Sequence, residues 1–356
     1  MTSSPADPPT GRRYRGMPWV TVIVIGVVSL VVCLLALAAG RFSIPVVEVA
    51  RMLIDRVIPL ERTWYAQEAS IVFEVRLPRV VLSFLVGAAL ATAGAVLQSV
   101  FRNPLVSPQV LGVSAGASFG GVLTMVLGLG SSWLVGGAFL FGLGSLGCVV
   151  AFSRIVSSAP LLMIVLGGVV VSALFSALTS LLTYVADPYR DLPAITFWLL
   201  GSLATAGWGG VLTALPPILL GTLTVFLLRW RLNILSLGDD DARALGVPPA
   251  PYRNAALLAV ALLTAAAISV SGVIGWVGLL VPHLARLLVG GDNRVLLPAS
   301  FLLGGGYLTA VDTLARSIAS VEVPLGILTA IIGAPFFVVL LVRFRRRVWL
   351  SDLFND

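Results

Sequence analysis

Side chains able to bind a metal, attack a carbonyl or relay a proton are scarce in this chain of 356 residues. It has one histidine, His283, two cysteines, Cys33 and Cys148, and no lysine. A lone imidazole after Pro282, near the end of an apolar run, is expected to be a structural residue with one hydrogen-bond partner. The cysteines sit singly inside apolar runs and are expected to be small core residues; neither disulfide nor metal-ligand spacing is present. No Ser/His/Asp set or catalytic carboxylate pair appears. A P-loop needs a lysine to reach the nucleotide phosphates, so the chain is not expected to hydrolyse ATP. Gly142, Gly144 and Gly147 give the Gly-x-Gly-x-x-Gly spacing of dinucleotide sites. That motif needs a preceding strand, and here apolar sequence flanks it. Gly112, Gly116 and Gly120 recur every fourth residue, a spacing that lets a second helix approach closely.

The acids are the next candidates. An ion-driven carrier buries acids or histidines at mid-membrane depth. Here each of the 16 acids falls in a gap between apolar runs or near the end of one. Asp312 and Glu322, on either side of Arg316, come closest to membrane depth. A second acidic feature is Leu237-Gly238-Asp239-Asp240-Asp241-Ala242-Arg243-Ala244-Leu245-Gly246, which reads as a short helix. Acids at its start suit the helix dipole, Gly246 stops it, and Pro248 and Pro249 prevent its return.

The elements that carry these residues are set by composition. Charged residues are 11% of the chain, hydrophobic residues 58%, and mean hydropathy is +1.03. A soluble domain is about a quarter charged. The apolar runs are each about the 20 residues that an α-helix needs to cross a bilayer, and a lipid-embedded backbone must satisfy its own hydrogen bonds. The expectation is an all-α polytopic membrane protein with about ten transmembrane helices, at 18–40, 78–100, 107–128, 132–153, 160–185, 195–228, 254–271, 273–290, 296–312 and 323–342. The sixth is too long for one crossing, and Pro216 and Pro217 are expected to break or tilt it. The seventh and eighth form one apolar stretch that divides at Ser271-Gly272. Residues 1–17 read as a cytoplasmic tail, disordered over 2–11, residues 18–345 as the membrane domain, and 346–356 as a cytoplasmic C-terminal tail.

The net charge of +7 comes from arginines that flank the apolar runs, which points to membrane topology rather than nucleic acid. With the N-terminus in the cytoplasm, Arg12, Arg13, Arg15, Arg102, Arg154, Arg229, Arg231, Arg243, Arg253, Arg286, Arg294 and the cluster Arg343, Arg345, Arg346 and Arg347 all fall inside. Arg41, Arg51, Arg56, Arg62, Arg76, Arg79, Arg190 and Arg316 fall outside, most of them in one gap balanced by acids. The bias fits an even number of spans with both termini inside. The first run mimics a signal peptide at Ala36-Leu37-Ala38 but exceeds the 7–15 residues of a signal core.

Several segments then resemble one family. Arg76-Leu77-Pro78-Arg79, Phe101-Arg102-Asn103-Pro104-Leu105, Leu111-Gly112-Val113-Ser114-Ala115-Gly116 and Phe197-Trp198-Leu199-Leu200-Gly201-Ser202 resemble the permease subunits of ABC importers for iron-siderophores, haem and vitamin B12. So do Gly275-Trp276-Val277-Gly278-Leu279-Leu280-Val281-Pro282-His283, Glu322-Val323-Pro324-Leu325-Gly326 and Gly333-Ala334-Pro335. The resemblance implies a type II ABC importer permease in a bacterial inner membrane. It would be a homodimer with its path along the dimer axis, two ATP-binding subunits beneath, and a periplasmic or lipid-anchored substrate-binding protein above. ATP and Mg would be held by the partner ATPase, with no cofactor in this chain.

By the same resemblance, Arg76, Arg79 and Arg316 would receive acids of the binding protein. Residues 237–246 would form the coupling helix against the ATPase. Asn103, Leu105, Ser157 and Ser158 would lie at the cytoplasmic gate. Tyr189 and Arg190, in the outer gap 187–193, could line the substrate entry. Family cargoes are bulky chelates, which suit a wide, weakly polar path. An iron chelate is the expected cargo, with cobalamin or a molybdate or tungstate oxyanion as the alternative; an ion-coupled carrier is the rival class.

Overall fold

The computed structural model describes residues 18–40, 42–156, 160–318 and 321–352. Among these every regular element is helical. In chain order they are α1 (Pro18–Ala38), α2 (Val46–Asp55) and α3 (Ala66–Ser70). A π-helical turn (Ile71–Arg76) leads into α4 (Leu77–Val100), and a 3₁₀ turn (Pro108–Leu111) precedes α5 (Val113–Val126). Next come α6 (Ser131–Val156), α7 (Pro160–Val185), α8 (Asp191–Leu199), α9 (Trp208–Leu235) and α10 (Asp239–Ala244). The chain closes with α11 (Pro249–Ser271), α12 (Val277–Val289), α13 (Asn293–Ala315) and α14 (Leu325–Asp352). The predicted N-terminal tail, Ser157 and Ser158 lie outside the described residues. α14 runs on as helix through the predicted start of the C-terminal tail.

Seven segments have the length and hydropathy to cross a bilayer, and three shorter apolar helices, Val113–Val126, Val277–Val289 and Leu325–Val339, accompany them. These correspond to the ten expected spans, with one correction. The long sixth run divides at residues 200–207 and not at its prolines: α8 ends at Leu199, and Pro216 and Pro217 lie inside continuous α9. Gly201 turns the chain with φ +73°, a conformation that costs glycine little. The predicted division at Ser271-Gly272 is where α11 ends.

α4 is the axis of the bundle, buried along almost its whole length. Small residues bring its neighbours into backbone contact. A Cβ on Gly94 would sit 1.8 Å from the Gly278 carbonyl oxygen, so α12 crosses α4 at closer range than any larger residue permits. Two glycines of the predicted stripe do the same for α5 and α6: a Cβ on Gly116 would lie 2.5 Å from the Phe141 oxygen, and one on Gly120 2.3 Å from the Gly137 oxygen. Gly112 instead turns the chain ahead of α5 with φ +77° and faces Val171 of α7. The Gly-x-Gly-x-x-Gly segment is continuous α6 helix with no preceding strand among the described residues.

Non-helical backbone also occurs well inside the bundle. Pro108, in the 3₁₀ turn, packs on Gly278 beside Leu90, near the middle of α4. Such backbone is tolerated at membrane depth only where protein covers it, and here α4 and α12 provide the cover. The outward faces of α1, α6, α7 and α9 expose Ile23, Leu140, Leu174 and Leu223, as expected of surfaces that meet lipid or another subunit. Cys148 is on such a face rather than in the core, whereas Cys33 is half-buried. In lipid an outward thiol sheds no hydrophobic burial, so the sequence pattern could not separate the two.

Candidate functional site

α4 and α13 bring the three candidate docking arginines to one end of the bundle. Arg76, Arg79 and Arg316 are only 5%, 8% and 8% exposed. Arg76 closes the π-helical turn and Arg316 caps α13, and both reach the end of α1. The last carbonyls of a helix lack intrahelical donors. Arg76 Nη1 donates to the carbonyls of Leu37 at 2.8 Å and Ala38 at 2.9 Å, and Nη2 donates to Phe42. Arg316 donates to the carbonyl of Ala39 at 2.8 Å and to that of Ala36. Two guanidinium groups thus cap α1, where positive charge is favourable. Gly40 leaves them room, since a Cβ there would be 2.8 Å from Arg76 Nη2.

Arg79 lies between two carboxylates. Its Nε and Nη2 donate to Asp312 at 2.9–3.1 Å, and its Nη1 and Nη2 donate to Glu322 at 2.9 and 3.0 Å. Asp312 is 1% exposed and also approaches Arg316 at 3.7 Å. Bidentate guanidinium–carboxylate pairs are among the strongest charge-assisted contacts. Asp312 and Glu322 are therefore members of an ion-paired knot, not a solvated loop. No acid lies at mid-depth among the described residues: Asp312, the one acid there that is fully buried, is in the last turn of α13.

The opposite end carries α10. Gly238 takes φ +136° to start it, and a Cβ there would lie 3.2 Å from Arg102 Nη1. Ala242 is buried, and Asp239 pairs with buried Arg253 of α11, which seats the helix on the bundle. The other face is free: Asp240, Asp241, Ala244 and Gly246 are exposed, as are Leu237 and Leu245, and Arg243 pairs with Asp240 at 2.9 Å. The result is an acidic knob flanked by two outward leucines. Asn103 and Leu105 are exposed at the same end, where the Asn103 side chain accepts the Leu105 N–H at 2.9 Å.

Tyr189 and Arg190 are exposed in the turn before α8. Asp187 accepts their backbone N–H groups at 2.9 and 2.8 Å. These bonds, with Arg190's the larger effect, hold its carboxyl below the usual range. Neither residue lines the large cavity of ≈1030 Å³ beside α8, which Phe197, Trp198, Ser202, Thr205, Thr213 and Ser269 help to form.

Sequence reasoning missed a polar joint near the α10 end. Ser99 Oγ donates to Asn293 at 2.8 Å, and Asn293 donates to Asn233 from its backbone at 2.8 Å and its side chain at 2.9 Å. Asn233 donates to Asp292 at 2.7 Å, and Asp292 caps α13 by accepting the Arg294 N–H. The Arg294 side chain is the main reason that the Asp292 carboxyl is lowered to about 2. The only sequence signal was the capping residue ahead of an apolar run; its partners on α4 and α9 are distant in sequence.

Comparison with known proteins gives one consistent answer. Residues 28–343 match the FecCD transport family. The molybdate import system permease protein of Haemophilus influenzae is 43% identical over 326 residues, covering 91% of this chain and 96% of that protein. A probable iron chelatin transport system permease of Helicobacter pylori is 42% identical over 77% of this chain and 83% of its own length. The hemin transport system permease of Yersinia pestis is 40% identical, over 77% and 83% respectively. A solved inward-facing conformation of a protein described as a metal-chelate type ABC transporter superposes with TM-score 0.82 at 41% identity, covering 90% of this chain and 98% of that one. With its helical bundle, its charged ends and its uncharged body, the chain belongs to the FecCD transport family and is the permease of an ABC importer.

Proposed function

We propose that this permease moves an iron chelate, siderophore or haem, across a bacterial inner membrane, driven by ATP hydrolysis in a separate subunit. Two copies form the path, both termini face the cytoplasm, and the arginine-knot end faces outward. A substrate-binding protein docks on that outer end. Two ATPase subunits, which hold the ATP and Mg, take α10 and its outward Leu237 and Leu245. Asn103 and Leu105 border the inner mouth and Tyr189 and Arg190 the outer entry. The observation that carries this reading is α10: an acidic, leucine-flanked knob, braced from behind by Arg253, on a body with no mid-depth acid among the described residues to power transport. Closure of the ATPases on α10 supplies the work, and the weakly polar path releases cargo inward.

A second reading, oxyanion cargo, is favoured by the molybdate permease relative, whose alignment spans nearly both chains. The test is uptake by proteoliposomes that hold this chain, its ATPase and its binding protein, with labelled iron chelate and labelled molybdate supplied separately. Accumulation of iron chelate only with ATP supports the first reading, and accumulation of molybdate alone replaces it with the second. Uptake that persists without the ATPase refutes both.

A further inference from the structure

We infer that Glu322 occupies, from within the chain, the site that an incoming carboxylate of the docking partner takes, so that docking is an exchange of acids on Arg79. This rests on the proposal that the arginine-knot end receives a substrate-binding protein. Three arginines and two carboxylates share the knot, which leaves it one positive charge in excess. That excess favours one more acid at an end where the partner sits. Yet each guanidinium of the three is already engaged. Arg76 and Arg316 donate through their Nη groups to the carbonyls of α1, Arg316 Nε, with no hydrogen-bond partner among the described residues, is buried out of reach, and Asp312 holds the inner edge of Arg79. The outer edge of Arg79, Nη1 and one hydrogen of Nη2, is held by Glu322.

The two carboxylates differ in how readily they can leave. Asp312 is within a helix and its side chain is 1% exposed, whereas the Glu322 side chain is 29% exposed. Glu322 lies in the non-helical lead to α14, which Val323 holds through a backbone bond to Ala315 and Leu325 through one to Gly201. A side-chain rotation therefore frees the edge without unseating α14. Water stabilises the freed carboxylate, and the partner's acid restores the paired guanidinium that burial requires.

The exchange makes a directional claim about affinity. Binding of the cognate substrate-binding protein is measured on the assembled transporter in nanodiscs, for the native protein, Glu322→Gln, Glu322→Ala and Arg79→Lys. With its internal competitor neutralised, Glu322→Gln is expected to bind about 5–30-fold more tightly, the ratio for one to two kcal/mol. Glu322→Ala moves in the same direction. Arg79→Lys, which loses the fork geometry, binds more weakly. If Glu322→Gln leaves affinity unchanged or weakens it while Arg79→Lys weakens it, the exchange is wrong and the docking reading stands. If affinity is unchanged in every variant, docking at this knot is itself refuted.

Discussion

Asp312 and Glu322 bond the same guanidinium with similar geometry, yet they should differ widely in what they contribute to stability. Replacing Asp312 with Ala leaves the Nε side of Arg79 without an acceptor, at a site where both residues are almost fully enclosed. It also removes the carboxylate nearest Arg316. Removing one partner of a buried ion pair costs about 3–5 kcal/mol. Replacing Glu322 with Gln keeps an amide oxygen that can accept from Arg79 and removes a charge that is 29% exposed. The loss at this part-buried pair should be about 1 kcal/mol, the upper end of the range for solvated pairs. The expected contrast is therefore about threefold or more in free energy. Thermal unfolding of the detergent-purified protein, monitored by size-exclusion retention, should place Asp312→Ala on the order of 10 °C below the native protein. Glu322→Gln should lie within a few degrees of it. Because a well-packed apolar pair can replace a buried ionic one, the double variant Arg79→Met/Asp312→Leu should recover part of the loss. Equal destabilisation by Asp312→Ala and Glu322→Gln would refute the assignment of Asp312 as the buried anchor.

Three further outcomes are expected. Gly94→Ala should abolish the folded population, because the new Cβ meets the Gly278 carbonyl at 1.8 Å, whereas Gly144→Ala, with nothing within 4 Å, should leave expression and retention unchanged. Leu245→Ser should lower ATPase stimulation by the binding protein without altering thermal stability, since Leu245 is exposed at the free face of α10; a matched loss of stability would contradict that. Asp292 has its folded pKa lowered to about 2, below the ordinary aspartate value near 4. A lowered carboxylate stabilises above its unfolded pKa and loses that contribution as pH falls through the folded one. The native protein should thus lose stability between about pH 4 and 2, and Asp292→Asn should flatten that part of the acid limb in pH-dependent unfolding.

The sequence by itself settled the features that local rules govern. Run length and hydropathy marked out the ten helices, because a backbone in lipid must bond itself and apolar runs of about 20 residues do so as helices rather than as the shorter strands of a barrel. Gly238, the three aspartates and Gly246 delimited α10, because capping and dipole effects act within one turn. Glycines four residues apart marked a face open to close helix approach, but that Gly116 and Gly120 meet α6 came from the structure. The long sixth run was misjudged because prolines can sit inside a packed membrane helix when neighbours cover the freed carbonyls, whereas the true break needed the contact between Gly201 and Val273. Only the tertiary structure decided the state of the charges. Arg76, Arg79 and Arg316 were legible as a set facing one side. That they are buried, that two of them cap α1, and that Asp312 and Glu322 divide Arg79 between them depends on pairings as far as 280 residues apart. Charge and burial at such a site are set by which helices meet, and spacing along one chain carries no record of that.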